Sequence, residues 1–141
     1  MQRIAIYTLF IFFVFTPYIW SQEPAMLEPV EIFDKSYGTS EMDRAADVVT
    51  ADFRDGRPKS VWVSETWRIL NKIEYERIES KVVDSGVEAE NGFVRLHVKI
   101  KTVGGTTVQD EVYQMKKIGD KWQIDGLNVL NEEVKEEEKE L

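Results

Sequence analysis

Glu111 and Tyr113, two residues apart, are the side chains of this sequence best placed to do chemistry. On a β-strand, residues i and i+2 project from the same face. A carboxylate and a phenol side by side on an apolar face can serve as general base and oxyanion donor in proton transfer. That chemistry needs a carboxylate desolvated enough for its pKa to rise. The competing reading puts Gln109 and Glu111 past any covering helix, at the open end of a sheet, in water. Trp62, Trp67 and Trp122 form a second candidate set, able to line a ligand pocket with Leu96, Tyr113 and Asn128. Ordinary core packing is the stronger account of large aromatic residues at such positions.

Other chemistries lack their residues. The chain has no cysteine, which excludes a disulfide, a thiolate nucleophile and a Cys-ligated zinc. Its single histidine, His97, falls on the polar side of an alternating strand between Arg95 and Lys99. Asp43 and Asp47 lie one helical turn apart but read as solvent-facing residues beside Arg44, not as a cation site. No metal and no cofactor are expected. The chain is read as non-catalytic, with Glu111 and Tyr113 as the only catalytic candidates.

The elements that must position these residues can be read from the turns. Phe93 to Val103 alternates apolar Val94, Leu96, Val98 and Ile100 with polar Arg95, His97, Lys99 and Lys101, the period of a half-buried strand. Taking Gly104-Gly105 as a hairpin loop, Leu96 faces Tyr113 and Val94 faces Met115. Taking Gly119-Asp120 as the next loop, Met115 faces Ile124, Lys117 faces Trp122, and Asn128 falls beside Glu111. Both registers put Tyr113, Met115, Trp122 and Ile124 on one apolar face, which a one-residue slip would scatter. Asn91-Gly92 signals a third hairpin that places Ala89 opposite Val94. Tyr75 to Asp84 continues that strand with broken parity, so a bulge or bend is expected there.

Ser40 to Asp55 carries Met42, Ala45, Ala46, Val49 and Phe53 at helical spacing, with Ser40 and Asp43 resembling a capping box and Gly56 and Pro58 as terminators. Lys59 to Asn71 reads as a second, irregular helix, with a strand as the alternative. The expected fold is therefore α+β: a curved antiparallel meander of about four strands, covered on one face by one long N-terminal helix and a short second helix.

The ends set the compartment. Residues 1–21 have the layout of a signal peptide: Arg3, an apolar run from Ile4 to Phe15, the break at Thr16-Pro17, and Ser21 at a cleavage boundary. An uncleaved anchor through residues 4–20 is the alternative. Residues 22–37, with Pro24 and Pro29, read as a linker, residues 38–130 as the domain, and residues 131–141 as a disordered acidic tail. The net charge of −8 argues against a nucleic-acid partner, since phosphate contacts need clustered Lys and Arg.

The helix Met42–Phe53 with Asp55-Gly56, the hairpin array Val87–Val103 and the closing Gly119-Asp-Lys-Trp-Gln-Ile-Asp-Gly126 element together resemble the nuclear transport factor 2-like superfamily, the cystatin-like α+β cone. The resemblance covers roughly residues 38–130. It implies a cone with an apolar pocket between helices and sheet, and a family that spans isomerases, dehydratases, binding modules and secretion scaffolds. The resulting expectation is an exported binding or interaction module of the bacterial cell envelope, periplasmic or secreted. Its expected partner is a small apolar ligand or an envelope protein, and the outer sheet face, with Phe93, Val108 and Val112, is the surface for a homodimer. The alternatives are a scaffold or secretion-apparatus subunit anchored to the inner membrane, and a small-molecule isomerase or dehydratase.

Overall fold

The computed structural model describes residues 23–135, with side chains described through Leu130. The signal-peptide segment, residues 1–21, lies outside the described residues. Three helices precede four strands: α1 Pro24–Ser36, α2 Met42–Asp47, α3 Lys59–Lys72, β1 Glu76–Glu88, β2 Asn91–Thr102, β3 Gly105–Ile118 and β4 Lys121–Lys135. The strands form one antiparallel sheet in the order β1-β2-β3-β4. The class is α+β, with a four-stranded meander as read from the turns.

The covering helices differ from expectation. Residues 22–37 are not a linker, because Pro24–Ser36 is a helix that buries Met26, Pro29, Val30 and Phe33. Pro24 sits at the first helical position, where a missing N–H costs nothing. Pro29 sits on the buried face, where its ring adds apolar contact. The stretch Ser40 to Asp55 is not one long helix. α2 ends at Asp47, and its start carries no side-chain cap from Ser40. Beyond it, Val49 forms a parallel bridge to Ile124. Thr50 N donates to Ile124 O and Ile124 N to Val48 O, both at 2.9 Å. The β-branched side chain of Val49 suits this strand-like bridge, and Val49 still reaches the core. Lys59–Lys72 is a regular helix, which settles that segment as helix.

Strands β2 and β3 keep the faces read from the sequence but not every pairing. The β2–β3 loop is Val103-Gly104, since Thr102 pairs with Gly105. Val103 N donates to Ile73 O at 2.9 Å, which draws Val103 out of the strand. The register therefore moves by two residues, so Leu96 faces Glu111 and Val94 faces Tyr113. A two-residue move preserves every face. The β1–β2 loop is Ala89-Glu90, not Asn91-Gly92, and Ser85 rather than Ala89 faces Val94. Gly92 serves packing instead: a Cβ there would collide with the Met26 sulfur on α1. The Gly119-Asp120 loop is as expected.

Bulges fix the remaining differences. β1 is irregular between Arg77 and Glu79 and again between Val82 and Asp84, within the stretch of broken parity. β4 has an extra residue, Asp125, between the pairs Met115–Ile124 and Gln114–Gly126. Thr50 Oγ1 donates to the Asp125 carboxylate at 2.7 Å and holds it there. Strand β4 runs on to Lys135, so residues 131–135 belong to the sheet and not to a disordered tail. Residues 136–141 lie outside the described residues. The core packs α1 and α2 against the concave face: Phe33, Val30, Ala45, Val94, Tyr113 and Ile124 are all at most 2% exposed.

Candidate functional site

The inner face of the sheet carries a buried polar cluster at the end remote from the α1 N-terminus. Strand β3 supplies Gln109, Glu111 and Tyr113, which alternate onto that face opposite Val98, Leu96 and Val94. Strand β1 supplies Arg77, opposite Ile100, and the adjacent bulge turns Ile78 outward. Helix α1 supplies Asp34. The Arg77 side chain is 6% exposed and that of Glu111 3%.

Every acceptor position of Glu111 has a donor. Oε1 accepts from Arg77 Nη2 at 2.8 Å and from the Tyr113 hydroxyl at 2.5 Å. Oε2 accepts from Arg77 Nη1 at 3.1 Å and from Gln109 Nε2 at 2.9 Å. Arg77 is equally occupied. Its Nε donates to Asp34 Oδ1 at 2.8 Å, its Nη1 to the Tyr75 hydroxyl at 2.9 Å, and its Nη2 lies 2.7 Å from Asp34 Oδ1. Ser80 Oγ also donates to Asp34 Oδ1, at 2.6 Å.

The electrostatics follow from this pairing. Burial opposes ionisation of Glu111, but the bonds and charge of Arg77, with Tyr113 and Gln109, outweigh it and hold the carboxyl below its usual value. Burial likewise opposes the Arg77 charge, and Glu111 outweighs it, so the guanidinium is held more firmly protonated. Burial, reinforced by the Glu111 charge, pushes the Tyr113 hydroxyl well up. Burial pushes Tyr75 up to about 12 against the lowering effect of Arg77.

This arrangement is poor equipment for the chemistry that drew attention to Glu111 and Tyr113. The structure brings the two together, but Tyr113 spends its proton on Glu111, and Glu111 is held ionised by a bidentate arginine. A general base needs a raised pKa and a free lone pair. Glu111 is not in water at an open end of the sheet, and it does not floor an apolar cavity either: it is an internal counter-ion.

The pocket candidates do not converge. Trp62 is buried among Tyr37 and Phe53, with ring centroids 6.5 and 6.1 Å away. Trp67 is half-buried on α3 and Leu96 is in the core. Trp122 lines a separate surface hollow of about 330 Å³ with Ala25, Pro29, Ile32 and Val48. Asn128 is exposed on the outer face opposite Val112, because the Asp125 bulge reverses parity beyond it, and Val129 pairs with Glu111 instead. His97 is on the outer face as read, but opposite Asp110, with 2.6 Å between Nδ1 and Oδ1. Asp47 pairs with Lys59 at 3.1 Å. Among the described residues no group of three or more His, Cys, Asp or Glu side chains is placed to hold a metal ion.

Arg77, Asp34, Tyr75 and Ser80 were not singled out by their sequence. A positive residue beside the bulge of β1 has no periodic signature. Asp34 follows Phe33 on α1, whose buried face is Met26, Val30 and Phe33.

No family model and no curated protein matches the chain. Solved structures do. A SEC-C motif containing protein from Rhodopseudomonas palustris superposes with a TM-score of 0.54 at 17% identity, over 69% of this chain and 72% of that one. Bd1075 of Bdellovibrio bacteriovorus superposes with a TM-score of 0.51 at 13% identity, over 71% of this chain and only 37% of that one. An NTF2-like protein of unknown function from Cytophaga hutchinsonii gives 0.48 at 16% identity, over 74% and 88%. At such identities the likeness is one of fold alone, an α+β arrangement of helices on an antiparallel sheet.

Proposed function

We propose that this chain is an exported, non-catalytic binding or interaction module of the bacterial cell envelope. The observation that carries the non-catalytic part is the saturation of Glu111. Glu111, the one buried carboxylate of the sheet among the described residues, is ionised and bonded by Arg77, Tyr113 and Gln109. The space a substrate would need is filled by Tyr113, Phe33 and the Arg77–Glu111 pair. Export rests on the layout of residues 1–21.

Native mass spectrometry of the protein purified from its source tests this reading. The expected species lacks residues 1–21, is found outside the cytoplasm, and returns any bound small molecule chemically unchanged after incubation. A cytoplasmic chain with an intact Met1 end would contradict export. Conversion of the bound molecule would contradict the non-catalytic role. A membrane-bound chain that retains residues 1–21 would favour the anchored scaffold.

A further inference from the structure

We propose that β4 pairs edge to edge, antiparallel, with β4 of a second copy of this chain, about a two-fold axis at Asn128. This inference goes beyond the binding-module reading and does not depend on it. Strands β1 and β4 are the two edges of the sheet. The bridge from Val48-Val49-Thr50 covers the β4 edge only as far as Ile124. From Gly126 to Leu130, among the described residues, the backbone groups that point away from β3 have no partner. A row of open N–H and C=O groups is a template for another strand.

The two edges are guarded differently. Along β1, Glu76, Glu79, Lys81, Asp84 and Glu88 place charge beside the open backbone, which deters pairing. The β4 stretch Gly126-Leu127-Asn128-Val129-Leu130 has no charge and no proline. It also exposes apolar side chains on both sides of the sheet. Val129, opposite Glu111, is 48% exposed on the inner face, and Leu130, opposite Asp110, is 44% exposed on the outer. Bulges at Asp125 and just beyond Leu130 bound this window and leave it regular between them.

The window is its own complement, which is why a second copy is the occupant. Antiparallel pairing centred on Asn128 sets Leu127 opposite Val129, Gly126 opposite Leu130, and Asn128 opposite itself. The first pair lies on the inner face, where Leu127 already packs against the core, and it covers the exposed Val129. In the second, Leu130 lies across a residue with no side chain to oppose it. At the axis, Asn128 against Asn128 sets no charge against a like charge, although each copy carries −8. Each strand then supplies the same groups to the other, as an isologous contact requires, and two four-stranded sheets become one. So short an interface lies below the size of stable complexes, and association is expected in the high micromolar range.

Sedimentation of the protein purified from its source, from micromolar to millimolar concentration, tests the pairing. The mass should rise from one chain towards two, and the amide NMR signals that move with concentration should be those of Leu127, Asn128 and Val129. Asn128 is exposed, so its side chain can be changed without disturbing the core. Asn128→Glu sets two carboxylates face to face at the axis and should weaken association about tenfold, as should Asn128→Lys with two ammonium groups. Neither should move the melting temperature of the dilute chain. An equal mixture of the two variants should associate at least as tightly as the unchanged protein, because opposite charges then meet at the axis. A chain still monomeric at millimolar concentration, shifts that map to Phe93 and Val112 on the outer face, a mixture no tighter than either variant alone, or a different protein bound along β4 would each overturn the proposal. Should either variant fail to fold, the map of concentration-dependent shifts in the unchanged protein decides.

Discussion

Neighbouring residues of β3, Asp110 and Glu111, each bind an arginine, and they sit on opposite faces of the same sheet. Glu111 faces inward to Arg77, with side chains 3% and 6% exposed. Asp110 faces outward to Arg95 at 2.5 Å, with side chains 14% and 35% exposed, and to His97. The hydrogen bond with His97, and then that from Arg95, hold the Asp110 carboxyl below its usual value. Both carboxylates are therefore paired and both are lowered. What differs is the solvent. The outer pair can exchange protein partners for water at little cost. The inner pair has no water to fall back on, so each member depends on the other. A salt bridge on this strand is decorative or structural according to which way its residue points.

The largest expected effect comes from breaking the inner pair. Arg77→Met leaves Glu111 uncompensated and should cost about 3–5 kcal/mol in chemical denaturation, whereas Arg77→Met combined with Glu111→Met should recover most of that loss. A double variant as unstable as the single one would mean that the charges contribute more than their burial costs.

Alkaline titration sharpens the same contrast. Tyr75 is raised from 10.0 to about 12, and burial with the Glu111 charge also holds Tyr113 well above its usual value. A raised tyrosine pKa gives stability that is fully present below pH 10 and is lost as pH rises through the folded value. From Tyr75 alone the loss should reach about 3 kcal/mol. Absorbance of tyrosinate, followed alongside unfolding, should show these two rings ionising together with the loss of structure. Ionisation of both near pH 10 in a folded protein would contradict the inner cluster.

Tyr113→Phe removes one charged-acceptor bond and should cost about 1.5–3 kcal/mol. Arg95→Ala on the outer face should cost no more than about 1 kcal/mol, and the difference should vanish in about 1 M salt, where the screening length is about 3 Å. An outer-face loss as large as that of Tyr113→Phe would remove the distinction between the faces.

The contrast was partly readable from the sequence. Strict alternation along β2 put Arg95 and His97 outside and Leu96 inside, and a hairpin read two residues off still preserved those faces. What parity cannot survive is a bulge. Asp125 adds one residue to β4, held by a hydroxyl 75 positions away, and so moves Asn128 to the outside. The prolines of α1 hid an otherwise regular spacing: Met26, Pro29, Val30 and Phe33 lie at i, i+3, i+4 and i+7 of one helical face. The opposite error came from Met42 to Phe53, where helical spacing of the apolar residues outlasted the helix. Glu111 and Tyr113 were placed correctly, but their meaning depended on Arg77. Its approach across the sheet is a tertiary fact, set by a bulge with no signature of its own.

The central claim is that Glu111 is an ionised internal counter-ion and not a base. Carbon-detected NMR of the side-chain carboxyls reads Glu111 and Asp110 in one pH titration. Glu111 is expected to titrate below 4.5 and Asp110 below 3.8, and added salt should move Asp110 while leaving Glu111 in place. A Glu111 carboxyl titrating near 6 or above, the range of a working general base, would contradict it.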